Sequence, residues 1–341
     1  VTFQEKLGSY YDKTQRILAL LPRAAEVMGC AARLSELETA AHMLKCDLVT
    51  EMVKEFTDLQ GIVGGLYAQA EGYPEPVWRA ISEQYMPKTT SAPSPSTAAS
   101  SVLALIDRLD TVCGCFSVGL VPTGSRDPLA VRRQGNGTLK ILLDHRIPVS
   151  LGRLIDWSLA THAAATAETR QELLGFFEGR LRFLLEEAGY AYDAINAGLA
   201  VGFDDPLDAL ERVKALHEMR AEPDFLSVAS NFKRIVNILQ QAGTVAGEPD
   251  PGRMTDEAEL ALFQAYQDVL PRVKAAHAGH DYAAALRVLA SMRRVVDEFF
   301  DKVLVMAEDS AVRANRLALL KQVSNLFLGI ADISEIVLER A

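Results

Sequence analysis

Leu44-Lys45-Cys46-Asp47-Leu48-Val49-Thr50-Glu51-Met52-Val53-Lys54-Glu55-Phe56-Thr57-Asp58-Leu59-Gln60-Gly61 is the stretch from which the fold is read. Leu44, Leu48, Met52 and Phe56 recur at every fourth position, with Val49 and Val53 beside them. That spacing predicts one buried stripe of a helix. Asp47, Glu51, Glu55 and Asp58 follow at i, i+4, i+8 and i+11, which sets four carboxylates on a second stripe. Such a row is either a metal or catalytic site or a solvated edge.

The same periodicity extends outward. Residues 3–28 carry Leu7, Tyr10, Tyr11, Ile17, Leu18, Leu20 and Leu21 at helical spacing, with an interruption expected near Pro22-Arg23. Gly64-Gly65 sit inside an apolar pattern, where a glycine pair marks close helix contact. Pro87 to Ser101, rich in Ser, Thr, Ala and Pro, reads as a surface loop. Asp127-Pro128 opens a helix with proline in its favoured first position. Asp204-Asp205-Pro206 starts another, and Ala242 to Arg253 is a loop. Val288, Met292, Val295, Val296, Phe299, Phe300, Val303 and Val305 trace one helix. Asp309-Ser310 caps the next, through Ile330. No stretch alternates apolar and polar residues between turn signals, so the fold class is all-α.

At 341 residues the chain exceeds the ~100–200 of a typical domain, so two or three are expected. Apolar residues make up 49%, yet no apolar run reaches the ~18–20 residues of a membrane span. The N-terminus has neither the basic region nor the apolar block of a signal peptide and lacks an initiator Met. A soluble, cytoplasmic piece of a longer chain is the expectation, with no membrane partner. A net charge of −10 excludes a uniformly basic nucleic-acid coat, so no DNA partner is expected; a local basic face needs only a handful of Lys and Arg. Cys30, Cys46, Cys113 and Cys115 form no disulfide framework, and Cys113-Gly114-Cys115 is too closely spaced for a zinc site. They read as structural thiols.

The chemistry-bearing residues are few. There is no Walker sequence and no Gly-x-Ser-x-Gly, and Gly135-Asn136-Gly137 follows a helical segment rather than a strand. His277 and His280 flank Gly279, a turn rather than a rigid ligand face. Asp107 and Asp110 stand one turn apart, and Asp47 with Asp107 is an arrangement able to hold a divalent ion. The plainer reading pairs Asp107 and Asp110 with arginines such as Arg108, Arg126 or Arg132. Basic residues cluster at Arg126, Arg132 and Arg133; at Lys233 and Arg234; and between Arg287 and Arg316. Scattered Arg on amphipathic helices ordinarily means solvation and ion pairing.

Lys45-Cys46-Asp47-Leu48-Val49-Thr50-Glu51-Met52-Val53 and Glu55-Phe56-Thr57-Asp58-Leu59-Gln60-Gly61 resemble the beta subunit of the bacterial, heterotetrameric glycyl-tRNA synthetase. So do Asp107-Arg108-Leu109-Asp110-Thr111, the run Pro122 to Arg133, Lys233 to Leu239, Val296 to Val303, Asn315-Arg316-Leu317 and Ile330 to Ser334. The resemblance spans the chain in one order and corresponds to the C-terminal half of that subunit. It implies an HD-superfamily-like helical domain over 1–165, a helical linker over 166–222 and an anticodon-binding helical bundle over 223–341. It also implies that the alpha subunit handles glycine, ATP and Mg, while this half carries no cofactor and no catalytic residue. The partners it implies are glycine tRNA and the alpha subunit.

The HD resemblance gives the acid stripe a meaning. Working HD phosphohydrolases hold metal with an adjacent His-Asp pair and further His and Asp ligands; here the pair aligns with Cys46-Asp47 and the later aspartate with Asp107. Cysteine replaces histidine, so a degenerate site without metal is expected; an active HD-type metal phosphohydrolase is the alternative, and a purely structural helical scaffold a third reading. For tRNA the resemblance points to Arg126, Arg132, Arg133, Lys233, Arg234, Asn237, Arg313, Asn315 and Arg316, with Phe232 available for base stacking. Gln134-Gly135-Asn136 departs from the family pattern, and two glycines there are expected to loosen the helix that carries Arg132 and Arg133.

Overall fold

The structure, a computed structural model, describes residues 1–337. Among them the only strands are β1 (Thr2–Gln4) and β2 (Gly8–Ser9), a short antiparallel hairpin where helix was expected. The rest is helix, turn and loop. Two compact units divide the chain, Val1–Leu184 with Asp204–Leu207, and Leu185–Phe203 with Asp208–Ala341. Residues 166–222, expected as a connection, are shared between these units.

Unit one begins with α1 (Tyr10–Val27). The Ser9 hydroxyl accepts from Asp12 N–H while the Asp12 carboxylate accepts from Ser9 N–H, which satisfies two donors that a helix start leaves free. The helix runs through Pro22 instead of breaking there, because buried Ile17, Leu20, Leu21, Ala24 and Ala25 hold both sides of the missing hydrogen bond in the core. α2 (Leu34–Met43) follows.

The stretch Leu44–Gly61 is not one helix. It is a 3-10 turn at Cys46–Val49, the short α3 (Glu51–Glu55) and a second 3-10 turn at Thr57–Leu59. Thr50 is extended (φ −75°, ψ 145°), and its hydroxyl accepts from Val53 N–H, so it starts a new helix rather than continuing an old one. Phe56 leaves the helical region again, and Gly61 takes φ 84°. With the axis broken, Asp47, Glu51, Glu55 and Asp58 share no face. Asp47 is buried while the other three are exposed. Leu44 and Val53 reach the core, whereas Val49, Met52 and Phe56 are exposed.

α4 (Ile62–Ala70) and α5 (Glu75–Glu83) pack closely, as the glycine pair requires. A Cβ at Gly65 would stand 2.7 Å from Trp78 O, and one at Gly64 would stand 3.0 Å from Ile81. The loop before α6 (Ala98–Ser117) is pinned: Ser94 donates to Asp144, Ser96 donates to Glu83, and Pro95 O lies 2.8 Å from His145 Nε2. Every residue of α6 from Ala99 to Phe116 is buried. It is the axis of the unit, with α1, α5, α7 (Val131–Asp144) and α8 (Leu151–Leu159) packed against it. α9 (Ala167–Glu187) comes next.

Asp127-Pro128 does not open α7 directly. Pro128–Ala130 forms a 3-10 turn in which Leu129 and Ala130 take φ 56° and 54°, and the Asp127 carboxylate accepts from Arg132 N–H in the first turn of α7. The two glycines do not loosen this helix. A Cβ at Gly135 would fall 2.6 Å from the Phe176 ring, and one at Gly137 would fall 2.9 Å from the Arg108 guanidinium. Both glycines admit a neighbour.

Unit two holds α10 (Tyr192–Ala200), most of α11 (Pro206–Met219), α12 (Pro223–Ala242), α13 (Glu257–Ala278), α14 (Tyr282–Ala290), α15 (Arg293–Lys302) and α16 (Ser310–Leu328). α12 and α13 each pack on α14, α15 and α16 around Phe225, Phe232, Leu286, Phe299, Leu320 and Phe327. The helix expected over 288–305 is two, because the Ser291 hydroxyl turns back to Val288 O and the chain restarts at Arg293. Asp309 caps α16 as expected, accepting from Ala311 and Val312 N–H.

Candidate functional site

The acids of α6 meet cations of α1 and the α2–α3 segment in the core of unit one. Lys13 Nζ lies 3.0 Å from Asp110 Oδ2 and 3.4 Å from Asp107 Oδ1, and donates to Asp107 O at 2.7 Å and Thr111 Oγ1 at 2.8 Å. Lys45 Nζ stands 3.0 Å from Asp107 Oδ1, donates to Gln84 Oε1 at 2.7 Å and faces the Tyr85 ring. Arg16 grips both oxygens of Asp110, and His162 Nε2 is 3.3 Å from Oδ1. The partners are therefore Lys13, Lys45 and Arg16, not Arg108, Arg126 or Arg132. Burial alone would raise the Asp110 carboxyl; Lys13, the approach of His162 and Arg16 outweigh it and hold it well below the usual carboxylate range. Asp107 is lowered in the same way, by Lys13 and Lys45 against its own burial.

Asp47 has a different task. Its Oδ2 accepts from Gly61 N–H at 2.6 Å and Gly64 N–H at 3.3 Å, at the N-terminus of α4, where a carboxylate also complements the helix dipole. Its other oxygen, Oδ1, is buried without a hydrogen-bond partner. Cys46, which the HD resemblance sets opposite a histidine, is exposed, and its thiol turns back to His42 O.

These residues do not fit a divalent metal. Asp107 is already neutralised by two ammonium groups, Asp47 caps a helix, and Cys46 points its sulfur at a backbone carbonyl. Among the described residues no group of three or more His, Cys, Asp and Glu side chains is arranged to hold a metal ion. A metal entering this centre would have to displace Lys13 or Lys45 from the core.

Of the other expected residues of unit one, Arg126 is exposed in the turn Thr123–Arg126, while Arg132 and Arg133 occupy the first turn of α7, Arg133 exposed. In unit two, Lys233, Arg234 and Asn237 stand on the side of α12 away from buried Phe225, Val228, Phe232 and Ile235. Lys233 and Asn237 are one turn apart, and the Arg234 guanidinium lies 4.2 Å from the centre of the Phe300 ring. The residues of α16 are committed inward. Asn315 is buried, accepts from Asp250 N–H at 2.7 Å and donates to Asp250 O at 3.0 Å, which clamps the loop before α13. Arg316 donates to buried Glu259 at 2.6 Å and to Leu304 O. Glu259 closes the cap of α13. Arg313 donates to Ala307 O. Phe232 is core, packed against Phe327 at 5.0 Å, and its buried ring offers no face for a base. The bundle also has a cavity of about 330 Å³ between α13 and α16, lined by Tyr266, Lys274, His277, Gln322 and Asn325 among others.

Comparison with known proteins places these features. A family model described as glycyl-tRNA synthetase beta subunit matches residues 1–200, more than half of the chain. The chain belongs to this family. A second model, the DALR anticodon binding domain, matches residues 228–334 of the chain, α12 through α16. A glycine–tRNA ligase beta subunit from Acidobacterium capsulatum is 42% identical over 350 residues, covering 99% of this chain and 50% of the relative. The one from Desulforapulum autotrophicum is also 42% identical, over 98% of this chain and 50% of its own length. That of Acinetobacter baumannii (strain AYE) is 40% identical, over 98% and 49%. The family chain described here thus spans about half the length of the curated relatives it matches. No helix among its described residues is long and apolar enough to cross a membrane.

Lys13 and Lys45 escaped sequence reasoning. The signal was present: Lys13 falls on the apolar stripe of α1 with Ile17, Leu20 and Ala24, where a lysine needs a buried counter-charge. Nothing in spacing identifies Asp107 and Asp110 as that counter-charge.

Proposed function

We propose that this chain is the C-terminal, tRNA-engaging half of the beta subunit of a glycine–tRNA ligase. It holds glycine tRNA while the alpha subunit performs the ATP- and Mg-dependent attachment of glycine, in the cytoplasm. The observation that carries this reading is the succession of two family matches along one chain, the beta-subunit model and then the anticodon-binding model. Within the second match, Lys233, Arg234 and Asn237 on the outward side of α12 are the residues proposed to meet the anticodon arm. Arg313 is a lesser candidate; Asn315 and Arg316 act by holding the bundle together. In unit one, Arg126, Arg132 and Arg133 are proposed as phosphate contacts. The cation-filled acid centre supports an architectural role and argues against the metal phosphohydrolase.

The test is fluorescence anisotropy with labelled glycine tRNA and a non-cognate tRNA over a salt series. Glycine tRNA should bind more tightly. Replacing Lys233 and Arg234 together with Gln should weaken it by about tenfold, the equivalent of ~1.4 kcal/mol, and make the salt dependence shallower. Equal affinities for the two RNAs, with no effect of the substitutions, would sink the reading.

A further inference from the structure

Unit one contains a buried arginine that no carboxylate contacts by a hydrogen bond. Arg108, on α6, is 4% exposed. Its guanidinium donates to Tyr85 O at 2.7 Å, Pro87 O at 2.9 Å, Met86 O at 3.3 Å and Gln134 Oε1 at 2.7 Å, all neutral acceptors. Burial lowers its pKa to about 10, with neighbouring Arg133 adding to the shift and Asp107 opposing it. A fixed, desolvated cation of this kind is costly unless something negative comes to it. Gly137 is what lets it lie against α7, since a Cβ there would meet the guanidinium at 2.9 Å.

Outside this guanidinium, between α7 and the segment that follows α5, is a cavity of about 170 Å³ lined by Lys88, Thr89, Thr90, Arg133, Asn136 and Lys140 among others. Arg133, Asn136, Gly137 and Lys140 are spaced i, i+3, i+4 and i+7, so one face of α7 forms a wall. Lys88 and Arg133 have no carboxylate partner among the described residues. Lys140 pairs with Asp144 at 2.9 Å, the one acid bonded to the cluster, and Asp144 also accepts from Ser94. Asn136 contributes an amide oxygen that is buried and has no hydrogen-bond partner. Because amide oxygen and nitrogen are interchangeable in placement, this group can equally aim N–H donors into the cavity. Three cations line the cavity, Lys88, Arg133 and Lys140, with Arg108 behind them, and Asp144 is the one carboxylate bonded to the lining; on a chain of net charge −10 this local excess of positive charge defines an anion site. Its volume is below the ~300 Å³ at which pockets begin to enclose a drug-sized ligand. A single phosphate-sized oxyanion matches it, and a whole nucleotide does not.

We propose that the cavity walled by Lys88, Thr89, Thr90, Arg133, Asn136 and Lys140, with Arg108 behind it, binds one phosphate group. The group is a backbone phosphodiester of the bound RNA, an assignment that rests on the tRNA reading above; free inorganic phosphate is the other source of the same chemistry. Lys88 and Arg133 supply mobile charge at the mouth. The threonine hydroxyls and the Asn136 amide supply directed donors, and Arg108 supplies a fixed positive potential from the core.

Two arms test it on the 341-residue chain. In the first, glycine-tRNA affinity is followed against salt for the wild type and for Lys88→Gln/Arg133→Gln, both exposed positions, with Lys233→Gln/Arg234→Gln as a comparison in unit two. In the second, inorganic phosphate is titrated by 31P line broadening on the wild type, the same double variant and Asn136→Ala. A salt slope shallower by about one to two units in the double variant, with no phosphate broadening, assigns the site to RNA. Broadening that is lost in both variants assigns it to free phosphate. An unchanged slope together with absent or variant-independent broadening overturns the site. A wild type that binds no RNA refutes the tRNA reading alone, and the phosphate arm still decides the cavity. Asn136→Ala provides a further check, because deleting an unsatisfied buried amide should leave the melting temperature unchanged or higher while anion affinity falls.

Discussion

Replacing Lys13 with Met tests whether the ammonium pair in unit one is what the acid centre is built around. Methionine keeps the length and volume of the chain, so little cavity forms and the loss is electrostatic. Lys13 gives up contacts to Asp110 at 3.0 Å, Asp107 O at 2.7 Å and Thr111 at 2.8 Å. Asp107 keeps Lys45, and Asp110 keeps Arg16 and His162. Breaking a buried pair by removing one partner costs ~3–5 kcal/mol; the remaining cations place this one near ~3 kcal/mol. Both tryptophans, Trp78 and Trp157, lie in unit one, so their fluorescence in urea reports that unit by itself. With a urea slope of ~2–3 kcal/mol/M, the midpoint should fall by ~1–1.5 M. The pH dependence has a definite sign. Asp107 and Asp110 are depressed in the folded state, so their contribution is present above the unfolded value of ~3.9 and is lost as pH falls through the lowered folded values. Without Lys13 those folded values rise, and the acid edge of the stability curve moves to higher pH. Asp110→Asn combined with Lys13→Met should cost less than the sum of the two alone. A midpoint shift under ~0.3 M, or strict additivity, would refute the reasoning.

Asp47→Ala should destabilise unit one by ~1–2 kcal/mol through loss of the α4 cap, with faster amide exchange at Gly61 and Gly64; stabilisation of the wild type, but not of the variant, by added divalent metal would instead mean that Asp47 is a ligand. Asn315→Ala should free the loop before α13 and lower the stability of unit two by ~2 kcal/mol, read as faster proteolysis between residues 242 and 253. At temperatures where the bundle stays folded its tRNA affinity should not change, and a drop there would restore Asn315 as an RNA contact. For thiols, the exposed Cys46 should react with a disulfide reagent at pH 8 before the others. Burial pushes the Cys113 thiol up to about 12 and the Cys115 thiol to about 11, so both should wait for unfolding. Fast reaction at either would contradict their packing.

Much of the candidate site was legible, but unevenly. The resemblance pointed to Lys233, Arg234 and Asn237, and the structure sets them on the side of α12 away from buried Phe225, Val228, Phe232 and Ile235. It pointed equally to Asn315, with Phe232 offered for stacking, and both are buried, for a polar residue can be clamped inside and an aromatic near a basic residue is usually core. Gly135 and Gly137 read as helix weakeners; the structure makes each a point of close approach. That distinction depends on Phe176 and Arg108, which come from elsewhere in the chain.

The sequence by itself determined that the chain is helical, that Asp309 caps a helix and, through motifs running in one order, which family it joins. Those properties are local or cumulative, so they survive without coordinates. Tertiary structure decided the meaning of Leu44–Gly61. Periodicity of four is satisfied equally by a continuous helix and by 3-10 turns broken at Thr50 and Phe56, and only packing distinguishes them. It also decided the fate of the acids. Whether Asp47 and Asp107 hold a metal, a helix end or an ammonium depends on which buried donor reaches them first. Lys13 lies 94 residues from Asp107 in the chain and within 3.4 Å of it in the fold.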